Sequence, residues 1–197
     1  MKFTRNTKYY SGIVYEWNLP AGHSCPYAKE CKVTVNRETG KMLHDPGAFR
    51  CYAASAERFP GVREFRWRNY EHAKAGRIIS LPAKAKAVRI HASGDFFSQA
   101  YFDQWLELCR ANPGVEFWAF TKSLRFWIKR RNVIPGNLIL TASYGGHDDD
   151  LIEHYGLKYA RVVDSCSDPG RIDHNDDLAR IPAVSFYLLD KTKRAKT

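Results

Sequence analysis

The chain has 197 residues, 44% of them hydrophobic, with a formal net charge of +10 and an isoelectric point near 9.4. That length suffices for one domain with a sizeable core, and the apolar share is ordinary for a globular protein. No apolar run approaches the roughly 18 residues of a membrane-spanning helix, and the opening Met1-Lys2-Phe3-Thr4-Arg5-Asn6 has no apolar signal core; secretion and membrane contact are set aside and a cytoplasmic location is expected. The basic balance points to a polyanionic partner, nucleic acid or nucleotide, with a merely soluble basic surface as the alternative.

In chain order, residues 13–17 read as a short strand, ended by Pro20 and Gly22. A cysteine-rich loop follows over about 18–55, with a hairpin or turn over 36–41. Residues 55–75 look helical, interrupted at Pro60-Gly61. From there strands at 87–92, 115–120, 138–142, 159–163 and 184–189 alternate with helices at 98–110, 124–131 and 148–155 and a helical turn at 175–180. Six strands alternating with helices predict βαβ crossovers and a parallel sheet. Six are too few for a closed eight-stranded barrel, so the expected architecture is an α/β open partial (βα)6 barrel, one domain over 1–197 with a basic tail over 190–197. In the second strand Arg89, His91 and Ser93 alternate with Val88, Ile90 and Ala92. The polar set is expected inside the curved sheet and the apolar set toward the helices, unless this is an edge strand with one solvated face.

Ligands of α/β sheets bind at the carboxyl ends of the strands. Those ends carry Ser93-Gly94-Asp95, Thr121-Lys122-Ser123, Ser143-Tyr144-Gly145-Gly146-His147 and Asp164-Ser165-Cys166. The first strand end carries the loop with Cys25, Cys31 and Cys51. A thiolate is a soft ligand that selects zinc, copper(I) or iron–sulfur clusters. The spacing C-x5-C-x19-C is not that of a zinc ribbon. Three thiolates without a clear fourth suit a [4Fe–4S] cluster with one open iron; zinc held by the three with His23 or His44 is the alternative. Cys109 shares an apolar helix face with Phe102, Trp105 and Leu106 and reads as a core cysteine. Cys166 is either a fourth ligand or an inert loop thiol.

Two acidic runs, His147-Asp148-Asp149-Asp150 and Asp173-His174-Asn175-Asp176-Asp177, read as caps of helix N-termini. Basic residues interleave with aromatics at Arg58-Phe59, over 63–68 and over 125–131. Such mixtures suit phosphate contact with base stacking, or else amphipathic helices with cationic outer faces.

The segments Asn18-Leu19-Pro20-Ala21-Gly22 with Cys25-Pro26, Phe49-Arg50-Cys51-Tyr52-Ala53-Ala54-Ser55, His91-Ala92-Ser93-Gly94-Asp95-Phe96-Phe97 and Phe120-Thr121-Lys122-Ser123 resemble the phage and prophage family called gene product eighty-eight, over about residues 10–189. A looser resemblance is to radical S-adenosylmethionine enzymes. Their core is a six-stranded partial barrel with cluster cysteines after the first strand and a Gly-Gly-Glu-like motif after the second, where this chain has Ser93-Gly94-Asp95. Their C-x3-C-x2-C is absent. The expected protein is therefore a phage-type [4Fe–4S] protein, located in the host cytoplasm. Cys25, Cys31 and Cys51 are its metal ligands, and Ser93, Gly94, Asp95, Thr121, Lys122 and Ser143 line the mouth for S-adenosylmethionine or another small molecule at the open iron. As an enzyme it would run reductive or radical chemistry on a nucleotide or nucleic acid. The alternative is a non-enzymatic nucleic-acid-binding protein with a structural zinc or iron–sulfur site.

Overall fold

The computed structural model describes residues 2–9, 12–44, 51–77, 79–163, 171–173 and 176–189. Its frame is a seven-stranded sheet in the order β1 (Thr4–Tyr9), β2 (Gly12–Trp17), β5 (Ala87–Ile90), β6 (Glu116–Thr121), β7 (Leu138–Ser143), β8 (Tyr159–Val163) and β9 (Phe186–Leu189). A separate hairpin pairs β3 (Val33–Val35) with β4 (Met42–His44), around the turn expected at 36–41. Only β1 runs antiparallel in the large sheet; from β2 onward each strand is parallel to the next. Successive parallel strands are neighbours throughout, so the strand order never reverses. The fold is thus mixed α/β with a mostly parallel sheet. Strand β1 was not expected: its residues, Thr-Arg-Asn-Thr-Lys-Tyr, have no apolar face. That composition suits a sheet edge, where polar side chains discourage further pairing.

One face of the sheet buries Trp17, Val88, Ile90, Phe117, Ala119, Leu138 and Leu140. Helix α2 (Gln99–Arg110) covers it with Tyr101, Phe102, Trp105, Leu106 and Cys109, an apolar stripe at helical spacing. Ser98 starts this helix by accepting a hydrogen bond from the Tyr101 amide at 3.2 Å. Cys109 is fully buried, as its spacing indicated, and burial pushes its thiol up to about 12. Helices α1 (Pro60–Lys74), α3 (Leu124–Arg130) and α4 (Asp150–His154) complete the helical elements. The break expected at Pro60-Gly61 separates α1 from a 3-10 turn over Ala54–Arg58.

The other face carries Val14, Ala87, Trp118 and Phe186, covered by a second 3-10 turn, Leu178–Arg180. Asp173 caps that turn, accepting from the amides of Asp177, Leu178 and Ala179, the capping role expected of its acidic run. In the other run the acids act differently. Asp149 accepts from the Gly145 and Gly146 amides, and Asp148 pairs with Arg125, so neither caps α4 by its side chain.

The alternation in β5 stops at Ile90. Arg89 faces the second side of the sheet, as expected, but His91 does not. Its φ of +63° reverses the chain, and the ring packs among Phe96, Tyr101 and Trp105 on the helical side. There its Nε2 lies 2.8 Å from the Tyr101 hydroxyl, and burial pulls the imidazole down to about 3, so it is neutral. The edge-strand alternative fails as well, because β5 lies between β2 and β6. No helix among the described residues is long and apolar enough to cross a membrane.

Candidate ligand site at the carboxyl ends of the strands

The cysteine loop is held over the strand ends by buried polar contacts. Leu19 donates its amide to the Ser93 carbonyl at 2.9 Å, and the Ser93 hydroxyl returns a bond to the Leu19 carbonyl. The chains approach so closely that Gly94, at φ +89°, has room for no side chain: a Cβ there would lie 2.5 Å from Ser24 Oγ and 2.6 Å from Leu19 Cβ. Glu57, fully buried, anchors the same loop. One of its oxygens accepts from the Ala21 amide at 2.7 Å and from Arg66 at 2.9 Å. On the far side, Gly145 accepts from the amides of Lys29 and Glu30.

Asp95 organises the next two strand ends. Its Oδ1 accepts from Thr121 Oγ1 at 2.6 Å and from the Phe96 amide at 2.7 Å; its Oδ2 accepts from the Lys122 amide at 2.8 Å. Burial raises this carboxyl to about 6, against the pull of those hydrogen bonds and of Lys122. Lys122 Nζ in turn donates to Ser143 Oγ and to the carbonyls of Ser143 and Tyr144. Asp95, Thr121, Lys122 and Ser143 are therefore brought together in one hydrogen-bonded chain. Asp95 and Lys122 touch through the lysine amide, with no ion pair between their side chains among the described residues, so both frame the mouth and neither stands free. Ser93 and Gly94 serve the loop contact.

Cys25, Cys31 and Cys51 converge on this frame, and each is partly exposed. Burial pushes the Cys25 thiol well up, and the charges of Asp95, Cys51 and Cys31 act in the same direction. Burial also raises Cys31, with Lys122 opposing. Both Cys25 and Cys31 are thereby held as neutral thiols. The metal reading does not survive: among the described residues no group of three or more His, Cys, Asp or Glu side chains is placed to hold a metal ion. Zinc and [4Fe–4S] assignments both need such a group of deprotonated donors, so the function expected from them is withdrawn. His23 lies 3.1 Å from the Val35 carbonyl and stacks near Trp67. Cys166 lies outside the described residues.

Beneath the cysteine loop is a polar group that spacing alone did not reveal. Tyr52 is 60% exposed, yet it is so enclosed that burial raises its hydroxyl, with Arg89 opposing and Asp176, Cys51 and Glu16 reinforcing. The Tyr52 hydroxyl donates to the Ala92 carbonyl at 2.9 Å. Deeper, Arg89 Nε lies 3.0 Å from Asp176 Oδ2, and Arg89 donates to the Tyr9 hydroxyl at 3.1 Å. Burial works against the Arg89 charge, but Asp176, Tyr52, Tyr9 and Glu16 hold it firmly protonated. Glu16 accepts from Asn6 at 3.0 Å and from Asn18 at 3.4 Å. One signal for this group was readable: Glu16 is a carboxylate inside an otherwise apolar and aromatic strand.

The basic stretches are largely committed internally. Arg63 donates to the carbonyls of Arg37, Glu38 and Glu57, and Arg66 to that of Ala53 and to Glu57. Arg130 pairs with Asp103, and Arg125 with Asp148. Two exposed guanidinium groups nevertheless stack on tyrosines near the strand ends, Arg125 at 5.7 Å from the Tyr27 ring centre and Arg161 at 4.7 Å from that of Tyr144.

A family model described as Gene product 88 matches residues 1–195, nearly the full chain. The chain belongs to the Gene product 88 family. The Gene 88 protein of Mycobacterium phage L5 is 51% identical over 37 residues, which is 19% of this chain and 16% of that protein. The aligned segment thus spans about a sixth of that relative's length. These matches bear out the expected phage family. No solved structure matches the chain, so the likeness to radical S-adenosylmethionine enzymes gains no support.

Proposed function

We propose that this Gene product 88 family member binds a small polar molecule at the mouth formed by the strand ends and the cysteine loop. One observation carries the reading: Arg89, Asp176, Tyr9 and Glu16 form an ion-paired and hydrogen-bonded group on one sheet face, within electrostatic reach of the exposed Tyr52. Six parallel strands in unbroken order support an open partial barrel whose inner face is this polar floor. Ser93, Gly94, Asp95, Thr121, Lys122 and Ser143 hold the rim in shape, and the sulfurs of Cys25, Cys31 and Cys51 give it a soft wall. Convergent polar groups in a concave, largely pre-formed site are what small-ligand binding needs. The test is ligand-observed magnetic resonance with a mixture of small polar compounds, comparing the wild type with Tyr52→Ala. Saturation transfer to bound compounds should be lost in the variant. Unchanged transfer places binding elsewhere and removes the proposal.

A second reading, nucleic-acid binding on the outer surface, is favoured by the stacked pairs Arg125–Tyr27 and Arg161–Tyr144 together with the net charge of +10. Aromatic rings beside cations suit stacked bases and phosphates. Binding of a labelled single-stranded oligonucleotide should fall steeply with added salt, because phosphate contacts release counterions. No binding at low salt removes this reading.

A further inference from the structure

We infer that the inner face of the sheet takes the positively charged nitrogen of an organic cation, held between Glu16 and Asp176; this rests on the small-ligand reading above. Alternation along the strands places Glu16 of β2, Arg89 of β5, Phe120 of β6 and Thr141 of β7 on one face, with Val14, Ala87, Trp118 and Ile139. The charges there do not cancel. Glu16 is 8% exposed, and the Asp176 and Arg89 side chains are 13% and 15% exposed. Arg89 pairs with Asp176 while the charge of Glu16 acts on it from farther off, in a space that solvates charge poorly.

The remaining partners of those carboxylates are neutral. Glu16 takes donors from Asn6, Asn18 and Tyr9; Asp176 takes Tyr9 and the Trp118 indole. The Tyr9 hydroxyl lies 3.3 Å from both carboxylates, and its one proton serves only one of them. Arg180 also acts on Asp176 but is bidentate to Glu116, so among the described residues the carboxylates on this face still outnumber the guanidinium groups. Lys122 at the rim already spends its ammonium on Ser143 and Tyr144, and Lys158, over the Phe186 ring of this face, spends its own on the carbonyls of Leu178, Ala179 and Ile181.

An independent feature points to a ligand on the same face. Thr141 is 1% exposed and its hydroxyl makes no hydrogen bond among the described residues. It pairs across the sheet with Phe120, whose ring centre lies 5.4 Å from the Arg89 guanidinium carbon. A buried hydroxyl without a partner is costly, and such groups are normally satisfied by protein, water or ligand. A ligand with an ammonium or guanidinium head and a further polar atom would supply a balancing charge, an additional donor and a partner for Thr141.

The test is calorimetric titration of the full chain with agmatine, which carries both kinds of cation, and with uncharged butanediol. Agmatine should bind in one saturable phase and butanediol should not. Asp176→Asn removes the charge and keeps the shape, and asparagine tolerates the left-handed φ of +62° at this position. It should weaken agmatine binding about ten-fold, the scale of one charge-assisted hydrogen bond, while Asp150→Asn, on the exposed surface, should leave binding unchanged. Thr141→Val should weaken it less than Asp176→Asn, with circular dichroism reporting that each variant is folded. Equal binding by wild type and Asp176→Asn, an equal loss in Asp150→Asn, or saturable binding of butanediol overturns the inference. Absence of agmatine binding while the mixed compounds still show Tyr52-dependent transfer also overturns it and leaves the small-ligand reading standing; loss of both removes both.

Discussion

Replacing Glu57 with alanine should unfasten the cysteine loop from α1. The carboxylate is fully buried, and a single oxygen, Oε1, accepts from both the Ala21 amide and Arg66, while Oε2 has no partner among the described residues. The Arg66 side chain is only 8% exposed, so Glu57→Ala leaves a buried guanidinium with the Ala53 carbonyl as its acceptor and no counter-charge. Breaking a buried pair by removing one partner costs about 3–5 kcal/mol, a range that includes much of the cost of the orphaned amide because both bonds share one oxygen. At about 2–4 °C per kcal/mol for a chain of this size, the melting temperature should drop by roughly 6–20 °C. Glu57→Gln keeps an oxygen in the Oε1 position and should cost less than half as much. Removing both charges in Glu57→Leu with Arg66→Met should recover most of the loss, because the desolvation penalty then disappears with the pair. Urea unfolding followed by tryptophan fluorescence measures all of these. An alanine variant within about 1 kcal/mol of wild type, or a double variant no more stable than the single, would refute the assignment of Glu57 as a buried charge anchor.

Asp95 holds its proton more tightly in the fold, at about 6, than at the ordinary 3.8 of the unfolded chain. It therefore adds stability that is complete below 3.8 and vanishes as the pH rises through 6, about 3 kcal/mol from a shift of roughly two units at 1.36 kcal/mol each. Asp95→Asn should flatten the pH dependence of unfolding free energy in that window, and an unchanged slope refutes it. Gly94→Ala places a Cβ 2.5 Å from Ser24 Oγ at a φ of +89°, so it should destabilise by more than about 2 kcal/mol in the same urea assay. Tyr101→Phe removes the hydroxyl beside His91 Nε2 while Nδ1 already has no partner, and should cost about 1–3 kcal/mol; a neutral outcome means that water satisfies the ring.

The frame of the fold was legible because apolar periodicity reports burial. Val88, Ile90, Phe117 and Ala119 lie on the helical face, and the stripe Tyr101, Phe102, Trp105, Leu106 and Cys109 is the one that meets them. Strand β1 was not legible, since an edge strand with a polar face offers no apolar signal. His91 was misplaced because alternation assumes an extended chain, and one left-handed residue reverses it. In the site, proximity of the three cysteines followed from topology, but metal binding did not follow from proximity. It requires donors set at bonding distances around one point, and spacing in sequence carries no information on that. Tyr52 and Asp176 were missed for a related reason: their partners lie across the sheet, at Ala92 and Arg89.

Charge on this protein has one sign outside and another within, and the two bear on different ligands. The formal excess of +10 is carried partly by Lys191, Lys193, Arg194 and Lys196 near the end of the chain and by exposed side chains such as Lys29 and Lys32. Most arginines of the basic stretches neutralise carboxylates or cap carbonyls, so they add little to any field directed at solvent. On the sheet face that holds Arg89, the carboxylates Glu16, Asp176 and Glu116 outnumber the guanidinium groups of Arg89 and Arg180 among the described residues. Screening separates these regions further, since exposed charges fade within about 10 Å in ordinary salt whereas enclosed ones do not. The overall charge is thus no guide to what enters the mouth. A phosphate attracted to the surface meets carboxylates if it goes deeper, and a cation repelled at long range finds its counter-charge there.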